Sequence, residues 1–329
     1  MSENVNQAAV EAVMGERAQV APAARRRRSF PWHVVVFLAP AVVIYTLVMI
    51  IPLAETLRLS FFNQDETGRQ LYVGLENFRR LLFEEHYSVQ FWRSLWNNLY
   101  FFVIHMLVQN PIGIALAAIL SMAHLPGRTF YRTAIFIPAM LSVVIIGFAW
   151  KLILSPLWGV APSILGFVGL KSLFAPWLGK EEYALTTLSL ISVWQYVGIP
   201  MMLIYAAMLN ISDEVIEAAE LDDVKGFSLF WKVKLPLIMP TIGTISILTF
   251  IGNFNAFDLI YATQGALGGP NYSTDLLGTF LYRVFFGHQL ELGDPNMGAT
   301  IATVMFLIIL VGVMAYLLGI QRRIQTYQM

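Results

Sequence analysis

Charge is missing from this chain in long blocks. No aspartate, glutamate, lysine or arginine occurs between Arg93 and Arg128, between Lys234 and Asp258, or between Asp294 and Arg322. Apolar runs of about eighteen residues or more reach across the hydrocarbon core of a bilayer as helices, so a helical membrane protein is the expected class. Composition agrees, with 57% of the 329 residues hydrophobic and 13% charged and a mean hydropathy of +0.64. A formal net charge of zero removes the electrostatic case for nucleic acid. The absence of cysteine excludes disulfides, thiolate metal ligands and cysteine nucleophiles.

Taken in order, residues 1–30 read as a disordered tail and 31–329 as the membrane domain, with spans at about 33–54, 99–121, 133–154, 183–209, 235–262 and 299–319. Arg25 to Arg28 precede the first apolar run, which places the amino terminus in the cytoplasm. That run is too long for a secretory signal, and no small-x-small cleavage site follows it. Six spans return the carboxyl terminus, with Arg322 and Arg323, to the same side. Leu75 to Phe83 has the spacing of an amphipathic helix. The run from Leu152 to Leu170 is also uncharged, but Pro156, Gly159, Pro162, Gly166 and Gly169 make it a hairpin rather than another span. Inside the second span, His105 reads as a hydrogen-bonded link between helices in preference to a proton relay.

Ser212 to Pro240 interrupts the apolar pattern. It packs Asp213, Glu214, Glu217, Glu220, Asp222 and Asp223 into eleven positions, a density that bars it from lipid. Ser212 or Asp213 can cap a helix there, and acidic side chains suit its positively poled first turn. Gly226 is expected to bend the chain away, and Leu235-Pro236 to redirect it into the next span. Alanines at 218 and 219 leave a flat face for close approach, with Glu217 offering charge pairs to arginines of a partner. No phosphate-binding loop accompanies this platform. The stretch GFVGLKS, Gly166 to Ser172, lacks a glycine directly before Lys171, and no strand is expected ahead of it.

Glu217-Ala218-Ala219, Asp222, Phe230, Val233, Leu235-Pro236 and Pro240 resemble the EAA loop of permease subunits of ATP-binding-cassette (ABC) importers. YVGLENF, LPGRTFYRTAIFIPAMLS, GNFNAFDLIY and GGPNYSTDLLGTFLYRVFFG are similar to the carbohydrate-uptake branch, the maltose and glycerol-phosphate type permeases. The resemblance implies an all-α membrane protein with six transmembrane helices of the type I ABC importer permease fold, plus a cytoplasmic coupling helix in the loop 212–236. It implies a multi-pass subunit of the plasma (inner) membrane that moves a sugar or sugar-like solute by alternating access and is not itself an enzyme. The chain then carries no cofactor, and ATP and Mg belong to partner subunits. The implied partners are a second homologous permease subunit, two cytoplasmic ATP-binding subunits, an extracytoplasmic sugar-binding protein and membrane lipid. ATPase coupling falls on Glu217, Ala218, Ala219, Asp222, Gly226, Leu235 and Pro236. The family's glycine position holds Asp223, with Gly226 three residues later, so the coupling helix is expected to end slightly late.

A sugar path needs amides, carboxylates and aromatic faces inside the bundle. Asn253, Asn255 and Asp258 in the fifth span and Trp194, Gln195 and Tyr196 in the fourth supply them. By resemblance the two asparagines align with amides facing a central sugar site, and 194–196 with its neighbouring wall. On an ideal helix 253 and 255 lie about 200° apart, so a bend near Gly252 is needed for both to face one cavity. The glycine-rich stretch GALGGPNYSTD reads either as a flexible contact for the binding protein or as a plain connection. An importer for a non-sugar solute is the nearest alternative. An ion-coupled secondary transporter would need intramembrane carboxylates or inverted repeats, and only Asp258 qualifies. A non-transporting scaffold leaves the intramembrane amides unexplained.

Overall fold

The computed structural model describes residues 32–321 except 66, 123, 124 and 290. The expectations for the tail 1–30, for Arg25 to Arg28 and for Arg322 and Arg323 lie outside the described residues. The chain divides into two units, Met1–Pro52 and Leu53–Met329. In the first, α1 (Trp32–Tyr45) passes through a π-turn (Thr46–Ile50) into the start of α2 (Ile51–Leu59). Its apolar side chains are exposed, Phe37 by 82%, as a surface facing lipid would be.

The second unit is mostly helical. A short hairpin, β1 (Phe62–Gln64) and β2 (Gln70–Tyr72), pairs antiparallel with Asn63 opposite Leu71. At its turn the Thr67 hydroxyl, then the Arg69 N–H, hold the Asp65 carboxyl below the usual carboxylate range. There follow α3 (Glu76–Phe83), α4 (Glu85–Ile104), a π-turn (His105–Gln109), α5 (Asn110–Leu120), α6 (Arg128–Met140), α7 (Val143–Ile153) and α8 (Ala161–Phe167). Next come α9 (Glu181–Tyr196), α10 (Gly198–Leu209), α11 (Asp213–Leu221), α12 (Gly226–Leu229), a π-turn (Phe230–Lys234) and α13 (Leu235–Phe254). The chain closes with α14 (Asp258–Gln264), α15 (Leu277–Phe286), the two-residue pair β3 (Gly287–His288) and β4 (Glu291–Leu292), and α16 (Pro295–Tyr316).

Four helical stretches, Val34–Leu59, Glu85–Leu120, Gly226–Gln264 and Pro295–Gly319, are long and apolar enough to cross a membrane, or up to six if each bent pair of helices makes one span. The bent pairs are α6 with α7, at 97°, and α9 with α10, at 41°. The sequence suggested an unbroken helix for each. Pro138 near the end of α6 weakens its ladder, and Leu141 and Ser142 then turn extended, with ψ of 148° and 130°. Gln195 Nε2 donates to the Leu141 carbonyl at 3.4 Å, so the break is partnered by α9. The second bend falls at Gly198, where an added Cβ would meet the Ile135 carbonyl oxygen at 2.8 Å. Only glycine lets α10 lie this close to α6.

Prolines sit inside the long stretches without breaking them. Pro52, Pro111 and Pro236 each follow directly on the first residue after a π-turn. The wider turn moves the carbonyl that the pyrrolidine ring would strike and absorbs the missing N–H. The expectation that Leu235-Pro236 redirects the chain is therefore corrected. Helix runs through it, and the change of direction lies earlier, between Asp222 and Gly226.

Three apolar clusters hold the unit. One gathers α4, α7, α9 and α14 around Leu188 and Ile260; another joins α3, α13, α15 and α16 around Leu81, Phe280 and Met297; the third packs α5 and α10 with α13 around Met201 and Ile204. The stretch GALGGPNYSTD is pinned down by charge. Asp275 and Arg283, 1% and 4% exposed at their side chains, pair at 2.7 Å. Arg283 also donates to the Ala266 carbonyl and to Gln90, while Thr279 and Ser94 donate to the Asp275 carboxylate. A buried pair with its remaining hydrogen-bonding groups satisfied is held rigidly, and removing one partner strands the other charge. Arg283→Ala is expected to cost about 3–5 kcal/mol, read as a lowered unfolding midpoint of the purified chain in detergent.

Candidate functional site

The stretch Gly226–Gln264 opens where its sequence turns polar. α13 ends at Phe254, Asn255 leaves the helix at φ −97° and ψ 6°, and α14 restarts at Asp258. A non-helical Asn255 removes the obstacle set by ideal helix geometry: Asn253 and Asn255 both line one cavity of about 410 Å³. The bend falls two to three residues after Gly252 rather than at it.

Every such break leaves backbone groups to satisfy. Asn98, fully buried on α4, does this from the side. Its Nδ2 donates to the Asn253 carbonyl at 2.8 Å, and its Oδ1 accepts from the Leu277 N–H at 2.7 Å, so one amide ties the break to the first turn of α15. Gly278 permits the approach, since a Cβ there would stand 2.7 Å from the Ala256 carbonyl oxygen. Asn97 donates to the Ser273 and Asp275 carbonyls, so adjacent residues of α4 hold both the cavity wall and the clamped connection.

Four of the six solute candidates line the cavity: Tyr196, Asn253, Asn255 and Asp258. Trp194 and Gln195 do not. Tyr196 faces inward, and at about 100° per residue its two predecessors are carried round to other faces of α9. Gln195 is fully buried with its amide toward Leu141, and Trp194, 45% exposed, packs edge-on against Trp150 at 5.5 Å. Phe101, His105, Gln109, Ser192, Thr249 and Phe257 also line the space and were not picked out as wall residues. His105 joins α4 to α9, with Nδ1 2.7 Å from the Phe101 carbonyl and Nε2 3.0 Å from Ser192 Oγ. Its neighbour one turn on, Gln109, is 6% exposed and has a buried Oε1 without a hydrogen-bond partner among the described residues. Their polarity within an apolar run was the available signal.

The acidic platform is a second exposed feature. α11 buries none of its residues. Ser212 is its N-cap by backbone geometry but makes no side-chain capping bond. Glu217, Ala218 and Ala219 lie on α11, Asp222 is its C-cap, and Gly226 opens α12 at φ +56°. α11 ends at Leu221. Asp223 takes the left-handed conformation, φ +59°, that glycine usually supplies, and Val224 N–H closes the end on the Ala219 carbonyl at 2.9 Å. Aspartate tolerates this region better than most side chains, and its carboxylate meets Lys225 Nζ at 2.7 Å.

With this geometry in hand, comparison with known proteins is decisive about class. The profile of the family described as "Binding-protein-dependent transport system inner membrane component" matches residues 109–325. The chain belongs to that family, the permease subunits of ABC importers. It is 30% identical over 276 residues to the probable ABC transporter permease protein YurN of Bacillus subtilis (strain 168), covering 83% of this chain and 91% of that one. The multiple sugar-binding transport system permease protein MsmF of Streptococcus mutans serotype c is 30% identical, over 72% of this chain and 77% of its own. Among solved structures, a bacterial ABC transporter involved in the import of the acidic polysaccharide alginate superposes with a TM-score of 0.74 at 22% identity, over 89% of this chain and 96% of that one. The fold is thus that of an ABC importer permease, and the chain is a multi-pass membrane subunit of the carbohydrate-type branch.

The tie at the helix break can be tested directly. Asn98→Ala removes the only acceptor described for the Leu277 N–H, at an expected cost of about 1–3 kcal/mol for a buried unpaired group. Faster hydrogen exchange at Leu277 and a lowered unfolding midpoint are the expected readouts.

Proposed function

We propose that this chain is a membrane-spanning subunit of an ATP-driven importer, passing a sugar or sugar-like solute by alternating access while separate subunits hydrolyse ATP. One observation carries the reading. From Gly226 to Phe254 the chain is one continuous helical stretch, with exposed α11 just ahead of one end and the cavity at the break that closes the other. At about 1.5 Å per residue, the length from Gly226 to Phe254 is roughly 40 Å. A displacement imposed on α11 is thereby delivered to Asn253 and Asn255.

In this reading α11 docks on a cytoplasmic ATP-binding subunit through Glu217, Ala218, Ala219 and Asp222, with Gly226, Leu235 and Pro236 passing the movement on. ATP and Mg belong to that subunit. Both termini share its side of the membrane. Tyr196, Asn253, Asn255 and Asp258 contact the solute. A second permease subunit completes the pathway, two ATP-binding subunits drive it, and an external sugar-binding protein delivers the cargo. The family description supports dependence on a binding protein, and MsmF supports a sugar. The alginate of the structural relative does not carry over, because at 22% identity that likeness concerns the fold.

Two experiments test the two ends of the lever. Purified with its ATP-binding partners, the chain carrying Glu217→Arg with Ala219→Trp is expected to lose them, and undiminished co-purification refutes the docking face. Asn253→Ala with Asn255→Ala is expected to lower solute uptake in proteoliposomes by about tenfold or more, from two lost hydrogen bonds of about 0.5–1.5 kcal/mol each. Unchanged uptake and unchanged stimulated ATP turnover refute the solute site.

A further inference from the structure

The polar groups of the cavity lean toward accepting, although the second N–H of each amide and the Tyr196 hydroxyl remain donors. Asn253 Nδ2 donates to the Thr249 carbonyl at 2.7 Å and Asn255 Nδ2 to the Ile251 carbonyl at 2.9 Å, which turns each amide oxygen away from its own helix ladder. Thr249 Oγ1 donates to Asn110 Oδ1 at 3.3 Å. The Phe101 carbonyl can only accept, so His105 Nδ1 carries the proton. In the neutral ring Nε2 then accepts, and the Ser192 hydroxyl proton, 3.0 Å away, is directed to it. The oxygens of Ser192 and Thr249 are thereby left with lone pairs. Asp258, exposed at the wall, is an acceptor only. Among the described residues, no lysine or arginine lines the cavity.

Gln109 gives an independent sign that the wall expects a polar ligand. Its side chain is nearly buried, borders the cavity, and has an oxygen with no partner among the described residues. An amide so placed is costly unless something brings hydrogen-bonding groups to it.

We propose that this cavity selects an uncharged saccharide, bound through hydroxyl protons donated to an acceptor-biased wall, and turns away saccharides bearing carboxylate or phosphate. The proposal rests on the reading of the cavity as the solute site. Its chemistry is simple: each hydroxyl brings one proton to an oxygen of the wall, whereas a carboxylate or phosphate group brings only acceptors and meets Asp258 with no cation among the described lining residues to offset it. The volume within this chain, about 410 Å³, lies inside the usual ligand-pocket range of about 300–1,000 Å³.

The test uses the assembled transporter, this chain with its partner permease and ATP-binding subunits, in nanodiscs. The probes are neutral mono- and disaccharides of glucose, galactose, xylose and arabinose, with each hexose probe paired to its 6-uronate. Binding is read as a shift in the unfolding midpoint over a concentration series. The expected result is that neutral probes bind and each paired uronate binds at least about tenfold more weakly, the order set by one unscreened charge contact. A uronate that binds as tightly as its neutral counterpart overturns the charge selectivity and leaves the solute site standing. If no saccharide binds, the site reading falls and this inference with it. Asp258→Lys, a change at an exposed position, is expected to move the neutral-to-uronate ratio toward the uronate by about tenfold. An unmoved ratio shows that the 258 side chain does not face the solute, and overturns the selectivity proposed here.

Discussion

The fold of this permease turns on one buried amide. Where α13 stops short of completing its span, backbone groups come free in a setting where water cannot be relied on to satisfy them, and each unpaired group costs far more than a hydrogen bond returns. Asn98 meets part of that demand, donating to the Asn253 carbonyl, which also accepts from the Ala256 N–H at 3.2 Å, and it reaches on to the Leu277 N–H at the first turn of α15. The break can then persist as part of the structure. Without a side-on amide, the sequence GNFNAFD would be pressed toward regular helix, and Asn253 and Asn255 would point to opposite faces. A cavity with both asparagines in its wall is therefore a consequence of a residue on another helix.

The same logic separates what the sequence disclosed from what it did not. The long uncharged runs announced the apolar stretches, because length and lack of charge are local properties. The breaks within them depend on distant partners. Gln195 was read as a solute ligand from its polarity, yet its amide serves the Leu141 carbonyl at the α6–α7 break. Polarity in an apolar helix signals that a partner exists, not whether that partner is cargo or backbone. His105 illustrates the other outcome. Its link to Ser192 follows the expectation of an interhelical hydrogen bond, while its place beside the cavity required the tertiary arrangement.

In the glycine-rich and acidic stretches, composition alone did not reveal which residues hold the backbone. GALGGPNYSTD has the composition of a flexible connection, but its final aspartate is held by Arg283, eight residues later on α15. The pair lies too far apart in sequence for helical spacing to reveal it. At Asp223 the missing glycine suggested a longer coupling helix. The backbone takes a left-handed turn there with an aspartate in place, in the conformation that glycine usually supplies.

That left-handed turn matters for how force could travel. A lever transmits displacement only if its joints are few and its shaft is stiff. Between α11 and the cavity the non-helical positions are confined to Asp222 through Lys225, and from Gly226 the chain is helical through Pro236 and Pro240 to Phe254. The π-turn at Phe230–Lys234 keeps Pro236 from becoming a second hinge. At the far end the shaft meets no free joint either, since Asn98 fastens the Asn253 carbonyl to the start of α15, whose Arg283 is locked to Asp275. Movement of the shaft must therefore either carry α4 and α15 with it or stretch the Asn98 hydrogen bonds. The first course is the cheaper one, because stretching leaves buried groups unpaired. The cavity wall is then expected to shift as a joined set of helices, not as one helix sliding past its neighbours.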